Sequence, residues 1–168
     1  LCYIAETGKS NFVNGKMIFL SGSPVLESIN DIYTGRLSGI VNHHVPKYLT
    51  KNRLPSYETS CIEDWESTED AIVKEIHNQD MTLISGIPPW IQMYFDRLVQ
   101  KTGKRIGELF PHFSLMVHGG VAFEPYKAKL FDSIGRSLDT IETFPASEGF
   151  FAFQDSQNHE GLLLNTNA

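Results

Sequence analysis

Cysteine is scarce in this chain. Cys2 and Cys61 are the only two, and they stand far apart. Such a pair builds neither a disulfide framework nor a zinc knuckle, so a reducing, cytoplasmic setting is the expectation and Cys61 reads as inert packing. Dense basic runs are also missing. With 14 Lys and Arg against 20 Asp and Glu the formal charge is −6, and the basic face that a nucleic-acid partner needs is not expected. No stretch approaches the about 20 apolar residues of a membrane span, so no membrane partner is expected either. No signal-peptide pattern is present. The six histidines, His43, His44, His77, His112, His118 and His159, include no i, i+4 pair flanking an acid, which argues against a histidine metal site.

What remains is ordinary globular material: 168 residues, 41% apolar and 11% aromatic, enough for one domain with a sizeable core. The chain opens on Leu1 and closes on a strand-like run around Leu162–Leu164. The expectation is therefore a single subdomain over residues 1–168, cut from a longer polypeptide.

Periodicity orders the middle and end. Lys16–Leu20 reads as a strand stopped by the turn Ser21-Gly22-Ser23-Pro24. Val25–Tyr33 reads as a short helix, Leu37–Leu49 as an amphipathic helix interrupted by Pro46, and 51–60 as a loop. Ser67 caps a helix to about Asn78, with Asp70 three positions on. Met81–Ser85 is a buried strand, followed by Gly86-Ile87-Pro88-Pro89 and a helix to Lys101 whose first turn takes the prolines. The grammar repeats: strand Ser114–His118, turn Gly119-Gly120-Val121, helix Pro125–Leu138, strand Thr140–Phe144, then short strands at Phe151–Phe153 and Leu162–Leu164. Strand, glycine turn, helix, strand is α/β grammar, so the expected fold is a mostly parallel sheet flanked by helices. Ligands of such sheets sit outside the carboxyl ends of the strands. Three turns fall there: Gly86-Ile87-Pro88, Gly119-Gly120 and Ala146-Ser147-Glu148.

Each motif has a plain alternative. Gly8-Lys9-Ser10 looks like a phosphate loop, but Tyr3 stands where the first glycine is required. Pro145-Ala146-Ser147-Glu148-Gly149 lacks the leading glycine of a nucleophile elbow; a hydrolase using Ser147 stays open as the rival enzyme. His118 ends a strand beside a glycine pair and is either structural or part of a site. Gly119-Gly120 is a tight turn, or a backbone that lies flat against a purine. Glu148 is a solvated acid, or a carboxylate that holds Mg²⁺, an ion that prefers oxygen ligands.

Three segments together carry a resemblance. Ser85-Gly86-Ile87-Pro88-Pro89-Trp90, His118-Gly119-Gly120-Val121-Ala122-Phe123-Glu124-Pro125-Tyr126 and Glu142 through Asp155 resemble the auxin-responsive promoter family of acyl-acid amido synthetases, in its bacterial form. That family belongs to the adenylate-forming superfamily. The resemblance implies a partial N-terminal domain of an adenylate-forming enzyme. The implied reaction joins a small carboxylic acid to ATP as an acyl-adenylate, with Mg²⁺, and then transfers the acyl group to an amino acid amine.

Residue by residue, the resemblance implies that Gly119 and Gly120 lie along the adenine and that Phe144 stacks on it, where the family usually has tyrosine. Ala146 belongs to the same nucleotide motif. Ser147 would approach the phosphate or acyl-adenylate, and Glu148 would ligate the metal; these two are the catalytic candidates. Thr143, Pro145 and Phe150 match positions lining the acyl pocket. The family's Ser/Thr/Gly-rich phosphate loop and ribose-binding aspartate motif are not found in these residues, nor is its mobile C-terminal domain. The chain alone is therefore expected to be inactive. A non-catalytic binding domain that keeps the fold is the remaining rival.

Overall fold

The computed structural model describes residues 1–45, 50–62 and 65–166. Chain order is α1 (Cys2–Thr7), β1 (Lys16–Phe19), β2 (Glu27–Ile29), β3 (Ile32–Thr34), α2 (Leu37–His44), β4 (Arg53–Leu54), α3 (Tyr57–Ser60), α4 (Trp65–Ile76), β5 (Met81–Gly86), α5 (Pro88–Thr102), α6 (Ile106–Leu109), β6 (Leu115–Gly119), α7 (Glu124–Ile134), β7 (Asp139–Ala146), β8 (Gly149–Phe153) and β9 (Leu163–Leu164).

One sheet of seven strands runs β4-β1-β5-β6-β7-β8-β9. β4, β1, β5, β6 and β7 are parallel, while β7–β8 and β8–β9 are antiparallel. The expected α/β fold with a mostly parallel sheet and flanking helices is what forms. β5 occupies the interior because Met81, Leu83 and Ile84 are apolar on both faces, the composition a parallel strand covered on two sides requires.

The core lies on one face of the sheet. Ile18, Ile84 and Met116 meet Ile72, Val73 and Ile76 of α4, Ile91, Phe95 and Leu98 of α5, and Leu130 and Ile134 of α7. Phe110 and Phe113 close its lower end, both fully buried, and each such ring contributes about 1.5–3 kcal/mol. The opposite face carries a smaller cluster around Tyr3, Leu83 and Leu115. α1 is tied there by the Tyr3 hydroxyl donating to Asp139 Oδ2 at 2.7 Å and by Lys9 Nζ on the same oxygen at 2.6 Å. Glu6 accepts from Ser156 Oγ, the Gln157 amide and Asn158 Nδ2, clamping the segment after β8.

Several boundaries differ from expectation. Val25–Tyr33 is not a helix. It supplies the antiparallel pair β2–β3, turned at Asn30 and Asp31 with φ of 51° and 63°. Two residues of positive φ make the tight hairpin turn that Asn and Asp tolerate, and that overrides the weak helical spacing. The stretch 51–60 contains β4 and α3 rather than only loop. α4 starts at Trp65, so Ser67 lies inside the helix instead of capping it. α2 ends at His44, and Pro46 lies outside the described residues. α7 stops at Ile134 because Gly135, at φ 82°, forms a left-handed cap; Leu138 packs on the core from beyond the helix. Gly8 likewise caps α1 at φ 68°, which accounts for the glycine in Gly8-Lys9-Ser10 without a phosphate loop.

Candidate active site

β5, β6 and β7 lie side by side, so the three expected turns fall at one end of the sheet. The last paired residues are Gly86 with His118, His118 with Glu142, and Gly119 with Thr143. Gly119 is required by that closeness: a methyl group there would overlap the Thr143 carbonyl oxygen and stand 2.9 Å from Thr143 Oγ1. Gly120 turns at φ 83°, and its missing side chain leaves room for Ile87, whose Cγ2 lies 3.0 Å from where a Cβ would be. The glycine pair is thus a backbone ledge wedged between Thr143 of β7 and Ile87, the residue before α5.

Beneath the ledge, His118 is 3% exposed and stacks on Phe123 with ring centroids 3.9 Å apart. Its carbonyl accepts from Thr143 Oγ1 at 3.1 Å, while its Nδ1 is buried with no hydrogen-bond partner. Burial lowers its pKa to about 4, so the imidazole is neutral at pH 7. The Thr143 hydroxyl therefore locks the two strands together at the site, and no positive charge lies under it from this residue.

β7 runs past the end of β6 by Phe144, Pro145 and Ala146, about 10 Å at strand rise. Pro145 is tolerated because the register shifts between Phe144 and Pro145, a bulge where no ladder donor is needed. Ala146 pairs with Gly149, so Ser147 and Glu148 form the two-residue turn of the β7–β8 hairpin. Both are exposed. The Ser147 hydroxyl makes no hydrogen bond among the described residues. Phe144 is 53% exposed and tilts against Phe151 at 5.8 Å; Phe150 is 45% exposed and stacks near Phe153 at 6.0 Å.

The resemblance implies adenine and Mg²⁺ at this strand end, and the side chains present bear on both. Gly119 and Gly120 present backbone rather than side chains at this strand end, and Phe144 is exposed beside Phe151. One free carboxylate, Glu148, suits Mg²⁺, which keeps most of its coordination for water and phosphate oxygens. Among the described residues no group of three His, Cys, Asp or Glu is clustered as a dedicated metal cage. No helix among them is long and apolar enough to cross a membrane.

A second concavity was not legible in the sequence. At the carboxyl end of β1, beside α5, a cavity of about 630 Å³ is lined by Ser21, Gly22, Glu27, Arg36 and Trp90, among others. β1 is where the order of strands reverses, with β4 on one side and β5 on the other, and such switch points are favoured ligand crevices. The lining comes from five separate segments, so no local motif announces it.

No protein-family profile matches the chain, and no curated protein is similar to it in sequence. Among solved structures, it is similar to a 2-hydroxyisobutyryl-CoA ligase in an open conformation, in complex with 2-HIB-AMP and CoA. The TM-score is 0.55 and the identity 10%, over 89% of this chain and 32% of that one. The chain thus spans about a third of the length of that ligase and shares its fold over that third.

Proposed function

We propose that this chain carries the nucleotide-proximal part of the active site of an ATP-dependent ligase. Its acid substrate is activated as an acyl-adenylate and the acyl group is passed to an amino acid amine, as in the auxin-responsive family of acyl-acid amido synthetases. The observation that carries the reading is the pairing of Gly119 with Thr143, which sets the glycine ledge beside the Thr143–Glu148 hairpin. The likeness in fold to a ligase solved with 2-HIB-AMP and CoA supports the same class.

In this reading the adenine lies on Gly119 and Gly120 and under Phe144. Ala146 and Ser147 face the phosphate, and Thr143, Pro145 and Phe150 border the acid. An acid carboxylate oxygen attacks the α-phosphorus, and pyrophosphate leaves with the electron pair of its P–O bond. The amine then attacks the acyl carbonyl, AMP leaves with the C–O pair, and the amine sheds a proton. Glu148 would hold Mg²⁺, which neutralises phosphate charge when bound. The chain's own contribution is positioning: a ledge fixed by strand pairing, a neutral floor at His118, and a hairpin that projects past the sheet.

The test is acid-dependent exchange of labelled pyrophosphate into ATP by the full-length protein, over a set of carboxylic acids, followed by amide formation on adding amino acids. Exchange with at least one acid is expected. Ester hydrolysis without ATP, or no exchange with any acid, refutes the proposal. Exchange by these 168 residues alone would refute the further expectation that they are inactive by themselves.

A further inference from the structure

The cavity at the carboxyl end of β1 holds two opposite charges that do not neutralise each other. Arg36 and Glu27 both line it, and neither side chain has an ion pair or hydrogen bond among the described residues. Their placement follows from the β2–β3 hairpin. Glu27 pairs with Thr34, and Arg36 follows two residues later, so one short ribbon carries both charges to the same rim. Gly22 makes room for the cation: a Cβ there would stand 2.5 Å from Arg36 Nη1 and 3.1 Å from its Cδ. Trp90, from the first turn of α5, adds an aromatic wall.

An apolar acid has no use for Glu27, and a phosphate would be repelled by it. A ligand with a carboxylate and an ammonium on neighbouring atoms satisfies both: the carboxylate takes the planar guanidinium fork, and the ammonium takes Glu27. We propose that this cavity binds a free amino acid, with its α-carboxylate on Arg36, its α-ammonium on Glu27 and its side chain toward Trp90. The acceptor role of that amino acid rests on the amide-forming reading above. The placement is consistent with it, because the start of α5 sets Ile87, the residue before the helix, against the Gly120 ledge and Trp90, in its first turn, against the cavity.

The test is direct binding to the full-length protein by calorimetry and by tryptophan fluorescence, with a panel of amino acids, their deaminated acids and their decarboxylated amines. Amino acids are expected to bind, and both sets of truncated analogues to bind at least about tenfold more weakly, since each loses one charged hydrogen-bonded contact. Arg36→Gln should abolish the preference for amino acids over amines. Glu27→Gln should abolish the preference over deaminated acids. Gly22→Val, which drives a side chain into the guanidinium, should weaken amino acids in the same way as Arg36→Gln. Deaminated acids binding as tightly as amino acids, unaltered binding in the two charge variants, or no binding at millimolar amino acid would each overturn the proposal. Amino acid binding without pyrophosphate exchange would instead sink the ligase reading and leave this one standing.

Discussion

Replacing Gly119 with alanine tests the site at its tightest point. The new methyl group meets the Thr143 carbonyl oxygen, a backbone atom of the adjacent parallel strand, and lies 2.9 Å from Thr143 Oγ1. No side-chain rotation relieves the first contact, so β6 and β7 must separate. Overpacking of this kind costs about 1–3 kcal/mol. Separation also stretches the Thr143 Oγ1 to His118 O hydrogen bond of 3.1 Å, adding about 1 kcal/mol. The sum is about 2–4 kcal/mol. With a urea slope of about 2 kcal/mol per molar, the unfolding midpoint should fall by about 1–2 M at unchanged slope. Urea melts followed by circular dichroism read this directly. Gly120→Ala is the internal control: its Cβ meets a single side-chain methyl, Ile87 Cγ2 at 3.0 Å, rather than backbone, although φ 83° strains it, so its cost should be about 1–2 kcal/mol. A midpoint for Gly119→Ala within experimental error of the parent would refute the argument that strand closeness selects glycine there.

Three further outcomes are expected. The His118 pKa falls from 6.5 in the unfolded chain to about 4 in the fold, so the unfolded state binds more protons between those values. Stability should be fully present above pH 6.5 and decline by up to about 3 kcal/mol as pH drops toward 4, and His118→Leu should flatten urea midpoints measured across that window. In the full-length protein, Ser147→Ala should lower pyrophosphate exchange by about 10–100-fold, the loss of one hydrogen bond to a charged group; a nucleophilic serine would instead lose about a millionfold. Glu6→Gln should weaken the clamp on Ser156, Gln157 and Asn158, seen as faster hydrogen exchange at the Gln157 amide and unchanged exchange in β5.

The legible parts of the fold were those where local chemistry and tertiary context agree. Met81–Gly86 and Leu115–Gly119 are apolar runs closed by glycine, and Pro88-Pro89 can begin a helix but not sit inside one, so β5, α5 and β6 follow from the residues. The β2–β3 ribbon was not legible because its spacing suits a short helix; only the left-handed pair Asn30–Asp31 decides for a hairpin. β4 is two residues long and exists because β1 offers it a partner. The strand-end placement of Gly119, Gly120 and the Ser147–Glu148 turn was readable from order alone. What was not readable is that β7 overshoots β6, which leaves Ser147 and Glu148 on a projecting tip rather than flush with the ledge. The cavity of Arg36 and Trp90 depends on contacts between distant segments and has no local signature.

Among the described residues, β7 is the one strand of this sheet with a parallel partner on one side and an antiparallel partner on the other. That asymmetry orders assembly. The antiparallel side closes through a two-residue turn, and hairpins of that type form in about 1–10 μs. The parallel side must wait for the crossover through α7, and β1 must wait longer still for β5, because loop closure precedes any gain from pairing. The Thr143–Gly149 segment is therefore expected to take its shape from its immediate neighbours in sequence, before β6 pairs with β7. Substitutions in the hairpin should then alter the folding rate, while those at β4, the far edge, should alter mainly the unfolding rate.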